Sequence, residues 1–169
     1  RNDVPIREKE GLTLGKGFHG KAFKTDLVIE ESSGSGTGVK MHVDIAGGQK
    51  TGHFLDQVMN HVAMRRISKG MRVLDCFTHT GGFALHAATY GAADVEGLDI
   101  SADAVAHATR NAELNGLTNC RFSAANVFDF LTEASRTGKQ WDVIVLDPPA
   151  FAKSRSAVEN AYRGYKEIN

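Results

Sequence analysis

Residues 71–83 read M-R-V-L-D-C-F-T-H-T-G-G-F. Val73, Leu74 and Phe77 suit a strand, Met71–Phe77, that is covered on both faces. The strand carries Asp75 near its end and opens through Gly81-Gly82 into a helix. An α/β sheet receives a nucleotide-like ligand at such a turn, because bare main chain can approach it and the helix N-terminus offers free N–H groups. The dinucleotide pattern G-x-G-x-x-G is absent, which argues against nicotinamide and flavin. G-x-x-x-x-G-K-[ST] is absent too, which excludes an NTP P-loop.

Downstream, Gly81–Tyr90 reads as an Ala-rich helix closed by Gly91, and Asp94–Ile100 as a second strand. Ser101 caps a helix that runs to about Asn115 and stops at Asn115-Gly116. Cys120–Ala124 is a third strand. Phe128–Ser135 is a short helix with Phe128, Phe130 and Leu131 inward, and Trp141–Leu146 is a fourth strand ending in Asp147-Pro148-Pro149. Strands alternating with helices predict a parallel, Rossmann-like α/β sheet with right-handed crossovers.

Upstream, Arg1–Gly17 reads as an extended entry segment. Lys24–Glu31 and Val39–Ile45 are strand candidates on either side of the Gly/Ser-rich stretch Glu31–Gly38, which predicts an antiparallel hairpin. Ala46–Gln57 has two readings: a plain strand-to-helix turn, or a strap over a ligand at the sheet edge. Leu55–Lys69 reads as a helix with Leu55, Val58, Met59, Val62 and Ala63 as its apolar stripe. Arg65, Arg66 and Lys69 form a solvated basic end before Gly70. The expected division is a hairpin region, 1–48, and a ligand-binding domain, 49–169.

The chain's 169 residues suit one main domain, and 41% hydrophobic content supports a core. Twenty Lys+Arg balance twenty Asp+Glu, so overall charge marks no nucleic-acid footprint. Cys76 and Cys120 form no Cys-x-x-Cys and read as packing residues, which suits a reducing cytosol. The seven histidines show no His-x-x-x-His pair, and no metal site is expected. No membrane-spanning run or signal peptide is seen, so a cytoplasmic location is expected. The abrupt start at Arg1 and the close at Asn169 in mid-pattern suggest a fragment.

Three carboxylates, Asp75, Asp99 and Asp147, fall at strand ends, where ligands of open parallel sheets bind. Asp99 can accept from both hydroxyls of a ribose. Asp75 lies where it can hold a ligand ammonium. Such a pocket suits a sulfonium cation, and S-adenosylmethionine is the expected cofactor. Pro148 and Pro149 cannot donate to a ladder, so the strand stops there and holds Asp147 at the mouth of the site. Phe151 then stands where it can stack on a flat substrate ring.

V-L-D-C-F-T-H-T-G-G-F, the acidic end at Asp99 and D-P-P-A-F together resemble motifs of class I S-adenosylmethionine-dependent methyltransferases. V-D-I-A-G-G-Q-K-T-G-H-F-L-D-Q, residues 43–57, resembles the strap of bacterial large-subunit ribosomal RNA methyltransferases, the cytosine-5 enzymes and their guanine-N7 relatives. The resemblance implies that Lys50, Thr51, Gly52 and Phe54 border the cofactor. It implies that Asp75, Thr78, Gly81 and Gly82 hold the methionine part, that Asp99 takes the ribose, and that Ile100 packs on the adenine. Asn126 stands where the family usually has an Asp for the adenine amino group. The family's Gln-Arg-x-Asn-Arg stands here as Gln57-Val58-Met59-Asn60-His61, without two arginines that could face RNA or the cofactor carboxylate. Asp147, Pro148, Pro149 and Phe151 would place the target. Cytosine-5 enzymes of this type carry their nucleophilic cysteine further along. The expectation is therefore the cofactor-binding half of a methyltransferase acting on ribosomal RNA, inactive alone. The sheet edge left unpaired is a place for self-association. The alternatives are a non-catalytic S-adenosylmethionine- or RNA-binding module and a small-molecule methyltransferase.

Overall fold

The computed structural model describes residues 6–15, 17–32, 38–48, 52–152 and 158–168. Among them, a four-stranded parallel sheet is built from β3 (Arg72–Cys76), β4 (Asp94–Asp99), β5 (Cys120–Ala124) and β6 (Val143–Leu146). The strand order is β5-β4-β3-β6. The chain winds outward from β3 through β4 to β5, then returns to the other side of β3 for β6. The reversal puts a topological switch between β3 and β6, where α/β sheets open a crevice.

Val73, Leu74 and Cys76 of β3 are fully buried, as expected of a central strand with both faces covered. Helix α3 (Gly82–Thr89) is buried on nearly every side through Ala84, Leu85, His86, Ala87 and Ala88. Its small residues let it lie close against the sheet. Helix α4 (Ala102–Leu114) starts at Ser101, whose hydroxyl accepts from the N–H of Ala104 at 3.2 Å. It ends at Asn115-Gly116, where Gly116 takes φ 65° and Leu117 N–H donates back to Ala112. Helix α5 (Val127–Thr137) precedes β6, and α6 (Val158–Ile168) follows it.

The expected hairpin is present: β1 (Asp26–Glu31) pairs antiparallel with β2 (Val39–Asp44). Its tip at 33–37 lies outside the described residues. Val39, Met41 and Val43 are buried, and Val39 and Met41 share a core with Leu85 of α3 and Ala112 of α4. Two side-chain amides complete the docking. Asn115 accepts from Lys40 N–H at 2.8 Å and donates to Lys40 C=O at 2.7 Å. Asn111, fully buried, accepts from His42 N–H at 2.8 Å and donates to the Thr80 carbonyl at 3.0 Å. Strand edges leave backbone groups unpaired, and these amides satisfy them on β2.

Three expectations need correction. Ile6–Lys9 forms one helical turn, α1, inside the segment read as extended. The region read as the helix Leu55–Lys69 is instead a short α-helix, α2 (Val58–Ala63), between 3₁₀ turns at Leu55–Gln57 and Met64–Arg66. Its apolar stripe faces solvent in part: Leu55 is 74% and Met59 76% exposed, while His61 and Met64 are buried. The breaks in helical register rotate the inner face onto His61. Last, the fourth strand starts at Val143, and Trp141 packs instead beside Phe130, 5.8 Å between ring centroids.

Candidate cofactor site

The turn after β3 is tightly specified. Phe77 and His79 both adopt positive φ, 72° and 50°, on either side of Thr78. Left-handed backbone at two bulky residues is strained and clusters at functional turns. Three contacts hold it. Thr78 N–H donates to the Leu98 carbonyl at 2.7 Å. The Thr78 hydroxyl donates to Asp75 Oδ2 at 2.6 Å, and Ala84 N–H donates to the same oxygen at 3.1 Å. Asp75 therefore ties the strand end to the first turn of α3 from below. Burial pushes its carboxyl up to about 7, against the hydrogen bonds from Thr78 and Ala84 and the pull of His61.

The two glycines answer to packing as well as to a ligand. Gly81 has φ 95°, and a Cβ there would meet Leu85 at 3.1 Å. A Cβ on Gly82 would come 2.5 Å from His61 Nε2. Both glycines thus let α3 start close against its neighbours.

At the end of β4, Asp99 Oδ2 accepts from His79 N–H at 3.0 Å and Oδ1 from Ser101 N–H at 2.9 Å. At the end of β5, Asn126 caps α5 by accepting from Phe128 N–H at 2.9 Å. These ends open into one cavity of about 1200 Å³ at the carboxyl edge of the sheet. That is room for a nucleoside-sized ligand and a further flat group.

Of the residues expected at the site, Gly52, Phe54, Thr78, Gly82, Asp99, Ile100, Asn126, Asp147, Pro148 and Pro149 line this cavity. Asp75 and Gly81 lie beneath the turn, away from the lining. Phe151 sits in an aromatic group, 4.5 Å from Tyr165, 5.8 Å from Phe128 and 6.5 Å from Phe77 between centroids. Lys50 and Thr51 lie outside the described residues. The segment read as turn or strap does reach the cavity: the Phe54 ring meets the His79 ring edge-on at 5.3 Å. Residues not anticipated from the sequence also line it, notably Asp103, His107 and Arg110 of α4. Their spacing of four and three places them on one helix face, a signal that was available.

Neither cysteine is activated. Burial pushes the thiols of Cys76 and Cys120 up to about 12 each, with nearby carboxylates adding to the effect. Both behave as packing residues.

A strained turn, a helix start behind it and carboxylates at the ends of the two strands that flank β3, all on one cavity, define an α/β protein that binds a nucleoside-type ligand at its switch point. The chain belongs to the S-adenosylmethionine-dependent methyltransferase family, whose sequence model matches residues 20–167. It is 46% identical over its whole length to ribosomal RNA large subunit methyltransferase I of Aeromonas salmonicida and to that of Aeromonas hydrophila. It spans 42% of the length of each of these relatives. Among solved structures it resembles SMU.776, named as a methyltransferase and complexed with SAH. The TM-score is 0.76 at 25% identity, over 92% of this chain and 41% of that one. The fold also matches the SAM-dependent methyltransferase of Agrobacterium tumefaciens, with a TM-score of 0.72 at 22% identity over 98% of this chain and 58% of that one.

S-adenosylmethionine is the cofactor of the family, and the residues present fit it. Asp99 offers an anion at the cavity wall, Ile100 an apolar face 78% exposed, and Thr78 with Gly82 a close main-chain approach. Among the described residues no helix is long and apolar enough to cross a membrane.

Proposed function

We propose that this chain carries the cofactor-binding half of a methyltransferase that modifies a base in ribosomal RNA, with carbon 5 of cytosine the favoured position. The observation that carries this reading is that Asp99 and Asp147-Pro148-Pro149, at the ends of β4 and β6, line one cavity on either side of the β3 turn. The 46% identity to ribosomal RNA large subunit methyltransferases supports the substrate class.

S-adenosylmethionine supplies a methyl group on a sulfonium. In this reading Asp99 accepts from the ribose hydroxyls, while the N–H groups of His79 and Ser101 hold its carboxylate in place. Ile100 packs on the adenine, and Asn126 meets the adenine edge. Lys50, Thr51, Gly52 and Phe54 border the cofactor on the strap side. Thr78 and Gly82 approach the methionine part from the wall, with Asp75 and Gly81 fixing the turn beneath. Asp147, Pro148 and Pro149 present the target base. Phe151, braced on Tyr165, holds that segment and borders the place of the base.

Attack through carbon 5 of cytosine needs a thiolate on the neighbouring carbon. Cys76 and Cys120 are held as thiols, so the nucleophile comes from outside these residues and the chain alone binds cofactor without turnover. The outer edge of β6, which among the described residues pairs with β3 alone, is the surface for self-association.

The test is methyl transfer from labelled S-adenosylmethionine to undermethylated ribosomal RNA by the full-length protein. Label in RNA, lost on Asp147→Ala, supports the reading. Cofactor binding without transfer to any RNA favours a non-catalytic module, and transfer only to small acceptors favours a small-molecule enzyme.

A further inference from the structure

Three histidines from three segments converge on one buried carboxylate beside the cofactor turn. Glu31 ends β1, His53 lies in the stretch that resembles the strap, His61 lies on α2 and His86 on α3. Glu31, His53 and His61 are each under 10% exposed, and His86 is fully buried. Glu31 Oε2 is 2.9 Å from His61 Nδ1 and 3.3 Å from His86 Nε2, while Oε1 is 2.5 Å from His53 Nε2.

The tautomer of His86 is decided by its other nitrogen. Nδ1 lies 2.9 Å from the Gly82 carbonyl, which can only accept, so Nδ1 carries the hydrogen. Neutral His86 then turns the lone pair of Nε2 toward Glu31, and this buried nitrogen makes no hydrogen bond. A lone pair facing a carboxylate in the interior is repulsive unless a cation lies between them.

We infer that Glu31, His61 and His86 form a binding site for a divalent transition-metal ion of the zinc class, which pins the hairpin and α2 to the start of α3. The three ligand atoms lie within 4.8 Å of one another. Tetrahedral zinc with bonds of about 2.0–2.1 Å sets its ligands roughly 3.3 Å apart, a spacing that the two contacts of Glu31 Oε2 meet within tenths of an ångström, while the two ring nitrogens, within 4.8 Å of each other, take up whatever further adjustment binding requires. Imidazole with carboxylate is a donor set that suits zinc. The surroundings match those of built metal sites, where a ligating histidine donates its second N–H to a main-chain carbonyl. His86 does so to Gly82, and His53 engages the other oxygen of Glu31. His53 and His61 also line the cavity, which supplies an entry path. The proposal does not depend on the RNA substrate.

The experiment is a Co2+ titration of full-length, tag-free protein after chelator treatment, read by visible absorption, with Zn2+ competition and bound metal measured by mass spectrometry. The expected result is one equivalent of Co2+ with the intense bands of a tetrahedral site, displaced by Zn2+. His86→Gln should weaken binding by more than about thirtyfold, because it removes one of three ligands. His61→Arg is the folding control. Its guanidinium can neutralise Glu31 in place of a metal, so the variant should keep the wild-type circular dichroism and bind no Co2+. Folded wild-type protein that takes up no Co2+ or Zn2+ overturns the proposal. So does one-equivalent binding that is unchanged in both variants.

Discussion

The main-chain N–H of His79 donates to Oδ2 of Asp99 across 3.0 Å, joining the turn after β3 to the end of β4. The bond aims the Asp99 carboxylate into the cavity and steadies a residue held at φ 50°. Asp99→Ala should weaken S-adenosylmethionine binding tenfold or more, since hydrogen bonds to a charged group are worth about 1.5–3 kcal/mol. Asp99→Asn, which keeps an acceptor oxygen for His79, should lose less. Calorimetric titration of the full-length variants measures both, and an unchanged affinity for Asp99→Ala would contradict the assignment.

Asp75 should make stability depend on pH. Its carboxyl sits at about 7 in the fold, above the ordinary 3.8, because burial disfavours the anion. Between those values the native state binds a proton that the unfolded chain has released. Stability therefore falls as pH rises from about 4 to about 7, by up to a few kcal/mol. Asp75→Asn, neutral at every pH, should flatten that slope. Urea unfolding of wild type and variant across pH 4.5–8 checks it, and parallel profiles would refute it.

Glu31 acts in a separate window. Burial raises its carboxyl, but hydrogen bonds from His53 and His61 and the pull of His61 outweigh it and hold the group at about 2. Its contribution is present above the ordinary 4.5 and is lost as pH falls toward 2. Glu31→Gln should lessen the pH dependence below 4.5, where Asp94 beside Arg121 also contributes, and leave the Asp75 window in place, as read by the same unfolding series extended to pH 2.5.

Gly82→Ala places a methyl 2.5 Å from His61 Nε2. Overpacking of this kind costs about 1–3 kcal/mol, despite the better helix propensity of alanine. Thermal melts should show the loss. Adding His61→Ala should recover part of it, since residues in contact do not add independently. Additive losses would show that the ring is not what excludes the methyl.

Asn111 couples the hairpin to the cofactor turn, through His42 N–H on one side and the Thr80 carbonyl on the other. Asn111→Leu fills similar space but strands both backbone groups. It should destabilise by about 2–4 kcal/mol, because each unmet buried group costs about 1–3. Hydrogen exchange should speed at His42 along with the loss of stability. A melt within a degree of wild type would count against this coupling.

The framework around β3 was legible because it depends on local signals. A doubly covered strand reads as an apolar run, Ser101 and Asn115-Gly116 mark the ends of α4, and two prolines stop β6. Asp99 and Asp147 were legible because they close their strands at the crevice, whereas Asp75, read in the same way, is turned under the glycine turn by Thr78 and Ala84, partners that a strand-end position alone does not show. The inner face of α2 was not. Periodicity favoured Leu55 and Met59, but two 3₁₀ turns shift the register, and the partner of that face is a carboxylate that accepts His61.

The chain's own residues, taken alone, determined the alternation of strands and helices, the glycine turn and the carboxylates at the strand ends, since each arises within a few neighbouring positions. Tertiary structure decided which groups meet across long separations: Asn111 with His42, Gly82 with the ring of His61, and Glu31 with three histidines scattered along the sequence. Local propensity carries no record of such partners. They are chosen when a buried polar group, cut off from water, must find its complement in whatever the fold brings near.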